Sequence, residues 1–200
     1  MPTLNADYWN QRYLDHDTPW DIGYVSTPLR HVFDKITDKA IHILIPGAGR
    51  AHEAIYLHQQ GFHNVWVCDW APEAFAFLRK QAPDFPESNL LIEDFFQLTG
   101  QFDLIVEQTF LSALPPAMRP QYVRKVWELQ ADHGYLIGVL FNEEFSHSGP
   151  PYGGNRATYE RLFRPYFHLE EWHVATDSIA PRQGRELFLR FRKKSQPDHS

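Results

Sequence analysis

One stretch, Ile41 to Trp70, constrains the fold of this chain more than any other; it reads IHILIPGAGRAHEAIYLHQQGFHNVWVCDW. An apolar run, Ile41 to Ile45, is stopped by Pro46 and a glycine turn, Gly47-Ala48-Gly49. Helical spacing predicts a helix from Arg50 to about Gln60. Ala51, Ala54, Ile55 and His58 share one stripe of it, with Leu57 on the flank and Glu53 and Tyr56 facing away. Gly61 ends that helix, and Asn64 to Cys68 predicts a second buried strand closed by Asp69. The order is strand, glycine turn, helix, strand, acid.

That order carries chemistry. Glycines at 47 and 49 let the backbone turn tightly and approach a ligand that a Cβ would obstruct. An acid at the end of the second strand suits a ribose diol, accepting hydrogen bonds from its hydroxyls. A nicotinamide fingerprint would place a third glycine at position 52, where this chain has His52. Gly47 and Gly49 followed by small Ala51 fit S-adenosylmethionine (SAM) better. A ligand-free strand-turn-helix produces the same local pattern and stays open at this point. His58, near the helix end, is expected to be structural.

Composition narrows the setting. The chain has 200 residues, 43% of them hydrophobic, enough for one domain with a sizeable core. A net charge of -6 gives no basic field to attract nucleic acid. The single cysteine, Cys68, falls in a predicted strand, excludes an internal disulfide and fits a reducing cytoplasm. No run is long and apolar enough for a membrane span, and the first residues do not resemble a secretion signal.

Ahead of the sheet, residues 1–40 are rich in aromatics. Asp7 is expected to cap a short helix holding Tyr8, Trp9, Arg12 and Tyr13. Thr18-Pro19-Trp20-Asp21-Ile22-Gly23 reads as a turn, and a helix is expected from about Pro28 to Ile36. On their own, Trp9, Tyr13 and Trp20 read as a satellite core. Beyond Trp70, Pro72 starts a second helix, and strands are expected at Leu90–Glu93, Phe102–Glu107 and Tyr135–Phe141. A long helix from about Pro120 to Gln130 separates the last two. Ser148 to Asn155 is a Gly/Pro-rich loop. A helix with Tyr159, Leu162 and Phe163 follows, then an antiparallel pair at His168–Ala175 and Glu186–Phe191, then a frayed tail from Lys193. This is a doubly wound, Rossmann-like α/β sheet with a C-terminal antiparallel pair. Ligands of such sheets sit beyond the carboxyl ends of the strands, which gathers Gly47, Gly49, Asp69, Asp94, Glu107 and Gln108 on one rim.

Several stretches, in order along most of the chain, resemble the thiopurine S-methyltransferase family, which includes plant thiol and halide methyltransferases. They are TPWDIG at 18–23, IPGAGR at 45–50, TFLSALPPAMR at 109–119 and GPPY at 149–152. The resemblance implies SAM as methyl donor and a seven-stranded sheet. By position, it makes Trp9, Tyr13 and Trp20 cofactor-covering aromatics, with Tyr13 where plant members carry tryptophan. Gly47 lies beside the methionine moiety, Asp69 binds the ribose, and Asp94 with Phe95 contacts the adenine. Arg119 corresponds to an arginine near the substrate in the thiopurine branch, and otherwise reads as a solvated residue at a helix start. Glu107-Gln108 replaces an Asp-Tyr of the plant members, so Gln108 is a cofactor contact by position only.

The resulting expectation is a monomeric or weakly dimeric cytoplasmic methyltransferase acting on a small molecule. The resemblance points to a thiol, halide or chalcogen acceptor. Glu107 is the candidate base, although a carboxylate at a strand end is often structural. A non-catalytic SAM-binding module on the same fold is the alternative, and a nicotinamide oxidoreductase comes third. The eleven histidines form no HExxH, and no GxSxG or P-loop pattern occurs.

Overall fold

The computed structural model describes residues 3–198. Its central strand, β1 (His42–Pro46), buries every residue after the first, as a strand covered on both faces must. β1 pairs in parallel with β2 (Asn64–Asp69) on one side and β4 (Phe102–Gln108) on the other. β3 (Leu90–Ile92) extends the sheet beyond β2, and β5 (Gln130–Phe141) extends it beyond β4. β7 (Glu186–Lys193) runs antiparallel to β5, with β6 (Phe167–Val174) outside it. The order is therefore β3-β2-β1-β4-β5-β7-β6. The chain moves outward from β1 to β3 and then returns to β1's other side. The switch point lies between β1 and β4, where a crevice opens beyond the strand ends.

Alternation along β1 separates two cores. Ile43 and Ile45 pack with Leu29 and Phe33 of α2 (Thr27–Phe33) and with Ala54 and Leu57 of α3 (His52–Gln59). Leu44 faces the other layer, with Tyr122 and Val126 of α6 (Arg119–Leu129) and Phe163 of α7 (Arg156–Phe163).

The expected alternation is present, with shifted edges. The helix after Pro72 is a 3-10 turn, Pro72–Phe75, continued by α4 (Ala76–Gln81). β5 begins at Gln130, five residues before Tyr135, because Gln130 pairs with Phe102 ahead of a register shift. α3 starts at His52 because Ala51 adopts φ 58°, outside the helical region. Glu53 does not face water: it is 5% exposed and accepts a hydrogen bond from Ser26 N at 2.9 Å. The segment leading into α2 covers that face, which helical spacing alone cannot register.

α1 (Ala6–Leu14) is capped by Asn5, not Asp7; Asn5 Oδ1 accepts from Tyr8 N at 2.9 Å, the reach of a cap onto the third helical residue. α1 has no buried residue. At the other end, the tail is tied down as far as it is described: Lys194 N donates to Tyr166 O and Asp198 N to Pro165 O. The final two residues of the expected frayed tail lie outside the described range. Among the described residues, no helix is long and apolar enough to cross a membrane.

Candidate active site

The floor is the glycine turn after β1. Gly47 and Gly49 take φ of 57° and 54°. A Cβ on Gly47 would stand 2.2 Å from the Phe110 ring, so this position admits no side chain. Asp69, ending β2, accepts hydrogen bonds from Gly49 N at 3.1 Å and Ala71 N at 3.0 Å. Burial pushes its carboxyl up to about 6, although these backbone donors pull the other way. Each oxygen still has a lone pair to offer. Asp94 caps the 3-10 turn Phe95–Gln97, accepting from Phe96 N at 2.9 Å. The Phe95 ring is 3% exposed and lies in the core against Phe96, Phe110 and Tyr122. Its side chain belongs to that core and not to the crevice.

Above this floor lie the N-terminal aromatics. Trp20 meets Trp9 and Tyr13 edge-on, with ring centroids 5.4 and 5.9 Å apart, and the Arg12 guanidinium lies 5.0 Å from its ring. The Tyr13 hydroxyl stands 3.1 Å from where a Gly49 Cβ would be, and Trp20 Nε1 stands 3.9 Å away. Burial, and then the nearby Asp69, push the Tyr13 phenol up. Asp21 anchors the next stretch, 2.8 Å from His52 Nε2 and 3.1 Å from Arg50 Nε. Between cover and floor is a cavity of ≈ 40 Å³ whose walls include Trp20, Ile22, Tyr24, Gly47, Gln108 and Thr109.

Gly47, Gly49, Gln108 and Trp20 thus converge on one cavity, with Tyr13 and Asp69 at its edge. Glu107 and Arg119 do not. Glu107 is 0% exposed; its Oε1 accepts from Leu111 N at 3.0 Å, and its Oε2 accepts from the Tyr122 hydroxyl. Burial pushes its carboxyl up to about 7. A group so enclosed does not reach an acceptor, which corrects the expectation of a base at the strand end. Arg119 is 4% exposed, neither solvated nor in the cavity wall. It donates to the carbonyls of Gly153 at 2.8 Å and Tyr152 at 3.3 Å, holding the GPPY loop, and lies 5.5 Å from the Tyr159 ring. Gln108 keeps a buried side-chain oxygen, Oε1, with no partner.

Nothing in the sequence marked Asp21 or Arg50 as parts of the site. They stand 29 residues apart in the chain and no spacing links them. His52 was visible as the residue replacing a glycine, and it gains its partner from the N-terminal segment.

The model of the thiopurine S-methyltransferase family matches residues 4–195. The chain belongs to that family. It is 27% identical to the probable thiol methyltransferase 2 of Arabidopsis thaliana over 98% of this chain and 88% of that one. It is 28% identical to thiocyanate methyltransferase 1 of Brassica oleracea over 96% and 87%. Among solved structures, it superposes on Burkholderia thailandensis 1,6-didemethyltoxoflavin-N1-methyltransferase, bound to 1,6-didemethyltoxoflavin and S-adenosylhomocysteine. The TM-score is 0.79 at 18% identity, covering 96% and 88%, which shows a shared fold.

The protein is therefore a SAM-dependent methyltransferase. The site fits that cofactor: two left-handed glycines lie at the switch point, the half-buried carboxylate of Asp69 faces them, and an unpartnered amide oxygen of Gln108 stands at the cavity. Family membership also sets aside the nicotinamide and non-catalytic readings. Cys68 is buried and its thiol is pushed up by burial, as a core residue.

Proposed function

We propose that this enzyme methylates a small soft nucleophile: a thiol, a halide or a related chalcogen compound. One observation carries the reading: apart from Asp69, which the cofactor's ribose takes, each carboxylate at or beneath the cavity is already engaged. Asp21 is held by Arg50, His52 and Gly23 N, Glu53 by Ser26 N, and Glu107 by Leu111 N and Tyr122. An acceptor must therefore bring its own ionised or easily ionised atom, as a thiol does and an alcohol does not. The names of the plant relatives point to the same class.

Bound SAM supplies a methyl group already activated by its sulfonium. The chain's own residues do the rest. Asp69 accepts from the ribose hydroxyls, and the backbone at Gly47 and Gly49 lines the methionine end. Asp94 takes the adenine through its carboxylate and Phe95 through its backbone. Of the expected covering segment, residues 1–40, the stretch 7–24 with Trp9, Tyr13 and Trp20 covers the cofactor and excludes water, while α2 packs in the core against β1; Gln108 turns its amide toward the cofactor. In this reading Glu107 and Arg119 are positioning residues. Glu107 braces the turn after β4, and Arg119 braces the GPPY loop.

The chain is proposed to work in the cytoplasm, where its one thiol stays reduced, as a monomer or weak homodimer without nucleic-acid partners. Its exposed large apolar residues, Leu14, Tyr24, Ile92 and Val174, are scattered along the chain. The test is a panel of acceptors assayed for S-adenosylhomocysteine release. Turnover is expected with small aromatic thiols or soft inorganic anions and little with alcohols or amines. Activity confined to oxygen or nitrogen acceptors overturns the acceptor class.

A further inference from the structure

The N-terminal cover is fastened from the far end of the chain. Arg182 lies in the turn Ala180–Arg182 between β6 and β7. Its Nη2 donates to the Trp20 carbonyl at 2.8 Å, its Nη1 lies 3.4 Å from Glu186 Oε1, and its guanidinium is 5.5 Å from the centre of the Phe141 ring. The two side chains of the pair are 11% and 5% exposed. A charge-assisted hydrogen bond sheltered to this degree is stronger than one on the surface.

The loop that carries Arg182 is itself anchored. Asn142 N donates to Arg185 O at 2.8 Å, and Asp177 meets His31 Nδ1 at 2.7 Å. The cover's other ties are Asp21, beside His52 and Arg50, and Asn10 Oδ1, which accepts from Glu73 N at 3.0 Å, while α1 itself buries no residue. The partly open cavity beside it, ≈ 40 Å³, is also far short of the roughly 300–1,000 Å³ of a ligand site. The cover must lift to admit SAM and then settle again.

We propose that Arg182 is a positioning residue, a latch by which the β6–β7 loop holds the N-terminal cover closed over the SAM site. This rests on the reading of residues 7–24 as a cover. Arg182 also lies over Phe141 at the carboxyl end of β5, which ties the latch to the sheet. The planar fork of an arginine serves carbonyl and carboxylate together; a lysine offers a single point charge.

The test compares the wild type with Arg182→Lys, Arg182→Ala and the double variant Arg182→Met/Glu186→Gln, which leaves no unpaired buried carboxylate. Calorimetry measures S-adenosylhomocysteine affinity, and hydrogen exchange follows residues 7–24 with and without that ligand. In the wild type, ligand should slow exchange across 7–24. In the alanine and double variants that protection should weaken, most of all around Trp20, and affinity should fall about 10-fold. KM for SAM should rise similarly while kcat changes much less, and lysine should fall between. Variants with wild-type protection and affinity overturn the latch alone. A wild type that binds ligand with unchanged exchange in 7–24 overturns the cover and the latch with it.

Discussion

Asp69 is a carboxylate whose proposed task and surroundings oppose each other. Accepting from ribose hydroxyls calls for the ionised form, yet burial lifts its carboxyl from 3.8 to about 6. Affinity for S-adenosylhomocysteine should then be flat above about pH 7. Below about pH 6 it should fall by up to tenfold per pH unit, as ligand must pay for ionising the acid. Asp69→Asn should bind about 10- to 100-fold more weakly at pH 8 and lose the slope. Calorimetry from pH 5 to 8 decides; a wild-type profile flat to pH 5 would remove Asp69 from the ribose site. The place of Asp69 beside the glycine turn was legible in the sequence because strand, turn and acid are contiguous. Arg119 and Glu107 were not, since their partners, Gly153 and Tyr122, come from other elements. Arg182 is the extreme case, meeting Trp20 across 162 residues.

At the scale of elements, the turn between β1 and α3 separates two glycines that look alike in sequence. An alanine at Gly47 would need a left-handed backbone and would drive its Cβ into the Phe110 ring. Backbone strain of about 1–2 kcal/mol and overpacking of about 1–3 kcal/mol should together cost about 2–5 kcal/mol. At Gly49 the nearest atom is the Tyr13 hydroxyl at 3.1 Å, the tip of a side chain on the cover. Gly49→Ala should therefore cost only about 1–2 kcal/mol while loosening Tyr13. Denaturant unfolding should rank the two in that order, and equal losses would show that both glycines serve the core alone. The elements themselves were readable because β1 and β5 are apolar runs and the helices between them have the right period. Their edges were not. The left-handed φ of Ala51 delays α3, and pairing with Phe102, 28 residues back in the chain, draws Gln130 into β5.

On the scale of the whole molecule, Glu107 joins β4 to α5 (Phe110–Ala113) and α6 through Leu111 N and Tyr122. Its carboxyl is lifted from 4.5 to about 7, chiefly by burial, so the folded state holds its proton more tightly than the unfolded chain does. The sign follows directly. The stability it contributes is fully present below about pH 4.5 and is lost as pH rises through about 7, by up to about 3 kcal/mol. Asp69 adds a term of the same sign over a lower window, from 3.8 to about 6. Ligand should counter the Asp69 term, since it favours the ionised acid, and leave the Glu107 term in place. Glu107→Gln stays neutral and keeps an oxygen for one of the two donors, so it should flatten the decline between pH 5 and 8. At pH 8 it should equal or exceed the wild type in stability. Thermal unfolding of both proteins across that range, with and without S-adenosylhomocysteine, separates the two carboxylates. A wild type that becomes steadily more stable from pH 5 to 8 without ligand would show that Glu107 is ionised in the fold and braces β4 as an anion.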